Sequence, residues 1–186
     1  MKATLASRNP NKARELERLL PGWEIDVLEA DDYPPETGET YYDNALAKAR
    51  FGRGRVQGDI WVLGEDSWIE VAGLDGGPGV RSSRTAAGDE VGWMLQQLEG
   101  VEGEGRSARY VSELVALGPD GEELRGAGTL SGRIATAPSG AEGFGFDPVF
   151  IPDGETRTVA ELGNGWKTEQ SHRANAARAF LASFGG

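Results

Sequence analysis

The sequence predicts an α/β fold. Three observations carry this: a strand–helix–strand opening, a second half built of strand segments around strong turn signals, and a helical close. The 186 residues suit one domain, or one domain with a small lobe. The assignment is a single domain over 1–186.

Residues 2–7 read as a short strand stopped by Asn9-Pro10. Asn9 can cap a helix and Pro10 is tolerated in its first turn. The helix over 11–20 places Leu16, Leu19 and Leu20 on one stripe, and Pro21-Gly22 ends it. Residues 23–28 alternate as a second strand. An acidic loop over 29–40 follows, with Pro34-Pro35. Thr40 and Asp43 have capping-box spacing for a helix running to residue 50. Trp61-Val62-Leu63 reads as a buried strand ending at Glu65-Asp66-Ser67, with a second strand at Ile69-Glu70-Val71. Asp75-Gly76-Gly77-Pro78-Gly79 cannot be regular structure. Residues 89–98 form a helix with Val91, Met94, Leu95 and Leu98 inward. Strands over 109–117 and 123–129 flank Pro119-Asp120-Gly121, a strong turn signal. A separate strand over 132–135 leads to a glycine-rich loop and then Val149-Phe150-Ile151. A helix over 171–184 closes the chain.

Composition excludes several functions. Apolar residues are 38% and charged residues 26%, the balance of a globular chain. With no cysteine, disulfides and thiolate metal sites are ruled out. The net charge of -11 argues against a polyanion held by bulk charge, so no nucleic-acid partner is expected. A small anionic substrate remains compatible where cations are local. No stretch approaches the roughly 18 apolar residues of a bilayer span, so no membrane partner is expected. The start is too short for a signal peptide. The expectation is a soluble, cytoplasmic protein.

Five segments carry chemistry, each where a strand or loop meets a helix. Ser7-Arg8-Asn9-Pro10-Asn11-Lys12 is a strand-to-helix turn that can offer amides and the Lys12 charge to phosphate, or serve as an ordinary capped turn. Glu36-Thr37-Gly38-Glu39-Thr40, with Asp43-Asn44 and Lys48 in the next helix, and Glu65-Asp66-Ser67 supply hard oxygen donors suited to Mg2+, and equally read as solvated loop acids. In Gly143-Phe144-Gly145-Phe146-Asp147-Pro148, glycines allow close backbone approach, aromatics can stack on a base and Asp147 can accept from ring N–H groups. The alternative is a tight turn with two core phenylalanines. Lys167-Thr168-Glu169-Gln170-Ser171-His172-Arg173 holds the chain's single histidine and places cations and polar tips at the start of the closing helix. Ser171 is equally an N-cap.

Together these segments resemble the inosine triphosphate pyrophosphatase family, the XTP/dITP diphosphatases. The family opening A-[ST]-x-N-x-x-K is matched from Ala6 to Lys12. The pattern E-T-G-x-T-x-x-x-N-A-x-x-K-A is matched in full from Glu36 to Ala49. D-D-S-G-L corresponds to Glu65-Asp66-Ser67-Trp68-Ile69, and G-x-P-G-V-x-S-x-R runs from Gly76 to Arg84. G-F-G-Y-D-P-x-F and K-x-x-x-S-H-R close the series, at Gly143 to Phe150 and Lys167 to Arg173.

The resemblance implies a mixed, elongated α/β sheet with flanking helices and two lobes around a central nucleotide cleft. It implies that Ser7, Arg8, Asn9, Pro10, Asn11 and Lys12 hold the triphosphate. Glu36 and Asp66 would bind Mg2+, with Asp66 the base that activates water. Ser67, Phe144, Gly145, Phe146, Asp147, Lys167, His172 and Arg173 would bind nucleotide, with donors of His172 and Arg173 suited to a purine 6-oxo group. A homodimer is implied. The implied reaction takes ITP, dITP or XTP to the monophosphate and pyrophosphate. Alternatives are a related pyrophosphatase of altered base preference and a nucleotide-binding module without catalysis. Departures from the family pattern are Glu65 for aspartate, Trp68 for glycine, Arg81 for an aromatic, Phe146 for tyrosine, and Glu113 in an expected buried strand.

Overall fold

The computed structural model describes residues 1–79 and 88–184. Arg81 and Arg84, named above from the sequence, lie outside the described residues. The described strands form one six-stranded sheet in the order β2-β1-β3-β4-β5-β6. These are β1 (Lys2–Leu5), β2 (Glu24–Val27), β3 (Trp61–Val71), β4 (Ser107–Leu117), β5 (Glu123–Ile134) and β6 (Phe150–Pro152). β1 pairs parallel with both β2 and β3, and β6 pairs antiparallel with β5, so the sheet is mixed. The α-helices are α1 (Pro10–Leu19), α2 (Tyr41–Arg53), α3 (Glu90–Gln97), α4 (Val159–Gln170) and α5 (His172–Ser183). Among the described residues, no helix is long and apolar enough to cross a membrane.

The chain divides into two compact units. The first comprises Met1–Ser67, Ser112–Gly128 and Arg173–Gly186. Its core joins Leu5, Leu16, Leu20, Trp23, Leu63, Leu114 and Phe180, all buried. Asn9 caps α1 through its side chain, with Pro10 in the first turn, as the local sequence dictates. The Thr40–Asp43 capping box opens α2. Gly64 lets α2 lie directly on β3: a Cβ there would stand 2.0 Å from the Ala45 carbonyl oxygen and 2.6 Å from the Ala49 nitrogen. That contact fixes the part of α2 carrying Lys48.

The second unit comprises Trp68–Val111 and Thr129–His172. Its core joins Ile69, Val71, Met94, Leu98, Tyr110, Ile134, Phe146, Val149 and Phe150. Arg106 ties its segments together by donating to the carbonyls of Leu98, Val101, Ile134 and Ala135.

Three sequence expectations are corrected. Glu65-Asp66-Ser67 does not end a strand, because β3 runs unbroken from Trp61 to Val71. The polar triplet is tolerated there because its charges are paired by cations, as described below. The strand expected over 132–135 is the end of β5, a single strand over Glu123–Ile134. Lys167 does not open the final helix. It lies in the last turn of α4, which the sequence reading missed because Gly163 and Gly165 weaken the helical pattern. A Thr158–Glu161 capping box starts α4, and Ser171 is its C-cap.

Candidate active site

In the first unit, a buried set of opposite charges gathers around β3. Glu65 is fully buried and Asp66 nearly so. Asp66 Oδ1 accepts from Lys48 Nζ at 2.7 Å, and the same ammonium lies 2.6 Å from Glu36 Oε1. It also lies 3.3 Å from the Glu65 carbonyl oxygen. Lys12 Nζ lies 2.7 Å from Glu65 Oε2. Arg173 donates to Glu65 Oε1 at 3.1 Å, to Ser67 Oγ at 2.8 Å and to Glu15. Ser112 Oγ donates to Glu65 Oε1 at 3.0 Å.

These pairings shape the ionisation states. Burial pushes the Asp66 carboxyl above the ordinary aspartate value, against the pull of Lys48 and Lys12. Burial also opposes charge on Glu65, but Arg173 and Lys12 overcome it and hold that carboxyl well below the usual range. On Lys48, Asp66 and Glu36 outweigh burial and hold the ammonium above its ordinary value. Burial pushes Lys12 down, against Glu65.

The turn over residues 7–12 is ordered by its own side chains. Ser7 Oγ accepts from the Asn9 amide at 3.1 Å, and Asn9 Oδ1 accepts from the Asn11 amide at 2.9 Å. Arg8 donates to the Asp31 carbonyl at 2.8 Å and lies over the Tyr33 ring. Asn11 Oδ1 accepts from Arg14 at 3.4 Å. Asn44 Oδ1 accepts from the Gly38 amide at 2.9 Å, which ties the loop of Glu36 to α2.

The second unit holds its own cluster. Asp147 is buried, and its Oδ2 accepts from Lys167 Nζ at 2.7 Å and from the Phe144 amide at 2.9 Å. Tyr110 donates to Asp147 Oδ1 at 3.4 Å, and its ring stacks on His172 with centroids 4.5 Å apart. Lys167 Nζ sits 4.6 Å from the Phe144 ring centroid. Gly143, at φ +81°, makes room for Asp147, since a Cβ there would stand 2.1 Å from Oδ2. Gly145 also has positive φ in this loop.

The structure thus sorts the residues singled out from the sequence. Glu36 and Asp66 meet on one ammonium, and Lys12, Ser67 and Arg173 converge on or beside Glu65. The run from Lys167 to Arg173 is not one cationic cluster. Lys167 pairs with Asp147, His172 stacks on Tyr110, and Arg173 turns to Glu15, Glu65 and Ser67. All three are buried. Arg173 therefore does not present its guanidinium to a base in this arrangement, because Nε and both terminal nitrogens donate to protein oxygens. Phe146 is likewise a core residue rather than a stacking platform, while Phe144 is half-buried over Lys167. Lys48, named from the sequence beside the loop of Glu36, is the residue that joins Glu36 to Asp66. Glu15 and Tyr110 were not singled out. Glu15 lies on the buried side of α1 beside Leu16, which is the signal that could have found it.

The donor set suits Mg2+ rather than a softer metal. Among the described residues, no three His, Cys, Asp or Glu side chains are gathered into a cage. Mg2+ needs none, since it takes one or two carboxylates and completes its shell with water and substrate phosphate. Glu36 and Asp66, within 2.7 Å of a common point, form such a pair.

Residues 3–183 match the model of the Ham1 family. A dITP/XTP pyrophosphatase of Bdellovibrio bacteriovorus is 40% identical, over 97% of this chain and 96% of that protein. One of Thermus thermophilus is 39% identical, over 99% and 92%. The solved Ham1 protein of Staphylococcus aureus superposes with a TM-score of 0.83 at 30% identity, covering 100% of this chain and 99% of that one. The HAM1 protein of Coxiella burnetii gives 0.80 at 31% identity, covering 99% and 97%. On sequence and on fold, over nearly its whole length, this chain belongs to the Ham1 family.

Proposed function

We propose that this chain hydrolyses non-standard purine nucleoside triphosphates, ITP, dITP and XTP, to the monophosphate and pyrophosphate. The observation that carries the reading is the convergence of Glu36 and Asp66 on Lys48, with Lys12 beside them on Glu65. Two carboxylates and two lysines gathered in this way suit a triphosphate and a divalent cation better than a neutral ligand. The relatives named dITP/XTP pyrophosphatase support the substrate class.

In this reading, residues 7–12 receive the phosphates and Lys12 offsets their charge. Asp66 accepts a proton from water as its oxygen bonds to the α-phosphorus. The bond from that phosphorus to the α,β-bridging oxygen breaks, and pyrophosphate leaves. Burial suits Asp66 to this task by raising its affinity for the proton. Glu36 and Asp66 would hold Mg2+, which when bound neutralises phosphate charge as a Lewis acid. Ser67, Phe144, Gly145, Asp147, Lys167 and His172 bind nucleotide, with the Phe144 ring available for stacking. Phe146 and Arg173 act by position: Phe146 packs beneath the loop, and Arg173 holds Glu65 and Ser67. The enzyme works as a cytoplasmic homodimer.

A panel of ITP, dITP, XTP, GTP, ATP and dUTP, read by pyrophosphate release with Mg2+ and with EDTA, tests the proposal. ITP and XTP should lead ATP in kcat/KM by roughly ten- to a hundredfold, the scale of one unpaired buried donor. EDTA should abolish turnover. Equal efficiency on ATP and ITP, or full turnover without metal, rejects it.

A further inference from the structure

Lys48 touches both carboxylates assigned to the metal. We infer that Lys48 is a built-in competitor for the divalent cation, its ammonium holding Glu36 and Asp66 together and setting how tightly that pair takes a metal. This rests on the metal reading above.

The geometry makes the competition direct. The ammonium lies 2.6 Å from Glu36 Oε1 and 2.7 Å from Asp66 Oδ1, so it sits on the oxygens a cation would use. It is poorly exposed, which leaves little solvent to screen it. Its backbone is fixed. The capping box sets the start of α2, and the Gly64 contact presses Ala45 and Ala49 against β3. Asn44, one turn before Lys48, holds Gly38 and with it the loop of Glu36. One helix thus presents the ammonium and anchors the loop of one of its two partners.

The charges then decide what binding must do. Two carboxylates and one ammonium leave a single net negative charge. A divalent ion joining them would face a like charge at contact distance, a repulsion that low solvent access keeps strong. The metal must therefore push the ammonium off the pair. Lys48 has a flexible four-carbon stem that permits this. A triphosphate supplies the negative charge to which the displaced ammonium can move. Metal affinity should accordingly be weak alone and rise with a phosphate ligand.

The test is Mn2+ binding without nucleotide, read by the EPR signal of free Mn2+. Wild type, Lys48→Met and Glu36→Gln are compared, each again with pyrophosphate present. Lys48→Met should bind Mn2+ at least about tenfold more tightly, and pyrophosphate should help it less than wild type. Glu36→Gln should bind more weakly than wild type. Equal or weaker binding by Lys48→Met overturns the inference. A measurement on the unmutated chain guards against a variant that fails to fold. In isotope-labelled lysine NMR spectra, Mg2+ should shift the Lys48 side-chain signal, and an unmoved signal despite Mn2+ binding rejects the inference. No Mn2+ binding by wild type, with or without pyrophosphate, would instead overturn the metal reading itself, and this inference with it.

Discussion

Arg173 Nε donates to Glu65 Oε1 at 3.1 Å across 108 residues of chain, with both side chains closed to solvent. The same guanidinium reaches Glu15 and Ser67. One arginine thus bridges two buried carboxylates, with Lys12 as the second cation on Glu65, and steadies the residue next to Asp66. Removing it would leave Glu15 without this cation and Glu65 with Lys12 as its neighbour. Arg173→Ala should cost about 3–5 kcal/mol of stability, the scale of breaking a buried pair from one side. Urea denaturation measures this, and a loss below about 1 kcal/mol would show the network to be dispensable.

The same network predicts acid sensitivity. Arg173 and Lys12 hold the Glu65 carboxyl below its ordinary value despite burial. The folded state therefore favours the ionised form. The resulting stability is fully present above the ordinary glutamate range and is lost as pH falls through and below it. Melting temperature, followed in metal-free buffer, should drop through that acidic window. Glu65→Gln should lower stability at neutral pH and flatten the drop. A variant that keeps the wild-type acid slope would place its origin elsewhere.

Asp66→Asn should nearly abolish pyrophosphate release while preserving the fold. The amide keeps the shape of the side chain but cannot take the water proton, and it is a weaker donor to Mg2+. Lys48 would retain Glu36 as its partner, so the circular dichroism spectrum should be unchanged. Near wild-type turnover in the purified variant would remove Asp66 from its proposed role.

Trp68 stands where the resemblance expects glycine, and it is buried in mid-β3. Its backbone is not in the left-handed region, so the indole is accommodated without a strained loop. Trp68→Gly should therefore act mainly on stability, by about 3–5 kcal/mol for the lost volume, and preserve the order of substrates. The measurements are the melting temperature and the substrate panel. A reordered panel at unchanged stability would instead assign the ring to substrate selection.

Glu113 shows how a departure visible in the sequence is resolved by a distant partner. A carboxylate in a buried strand is costly unless paired. Arg125 answers it with a two-pronged bond at 2.8 Å and 2.8 Å, from the neighbouring strand β5.

What the sequence determined by itself was local. Asn9-Pro10 started α1, Thr40 and Asp43 started α2, and the apolar stripes marked the buried faces. Each of these depends on residues within a few positions, where backbone geometry and capping chemistry suffice. The motif order also carried the family. The tertiary structure decided where charges are satisfied. It let β3 continue through Glu65-Asp66-Ser67, because Lys12, Lys48 and Arg173 arrive from three helices to neutralise it. It parted His172 from Arg173, adjacent in sequence, by giving each a different packing partner. It also placed a kink inside α4 at Gly163, whose φ of +84° leaves helical geometry between the capping box at Thr158 and the turn that carries Lys167. Ion pairing and burial act between segments far apart in the chain, so the strength of a local pattern could not reveal them.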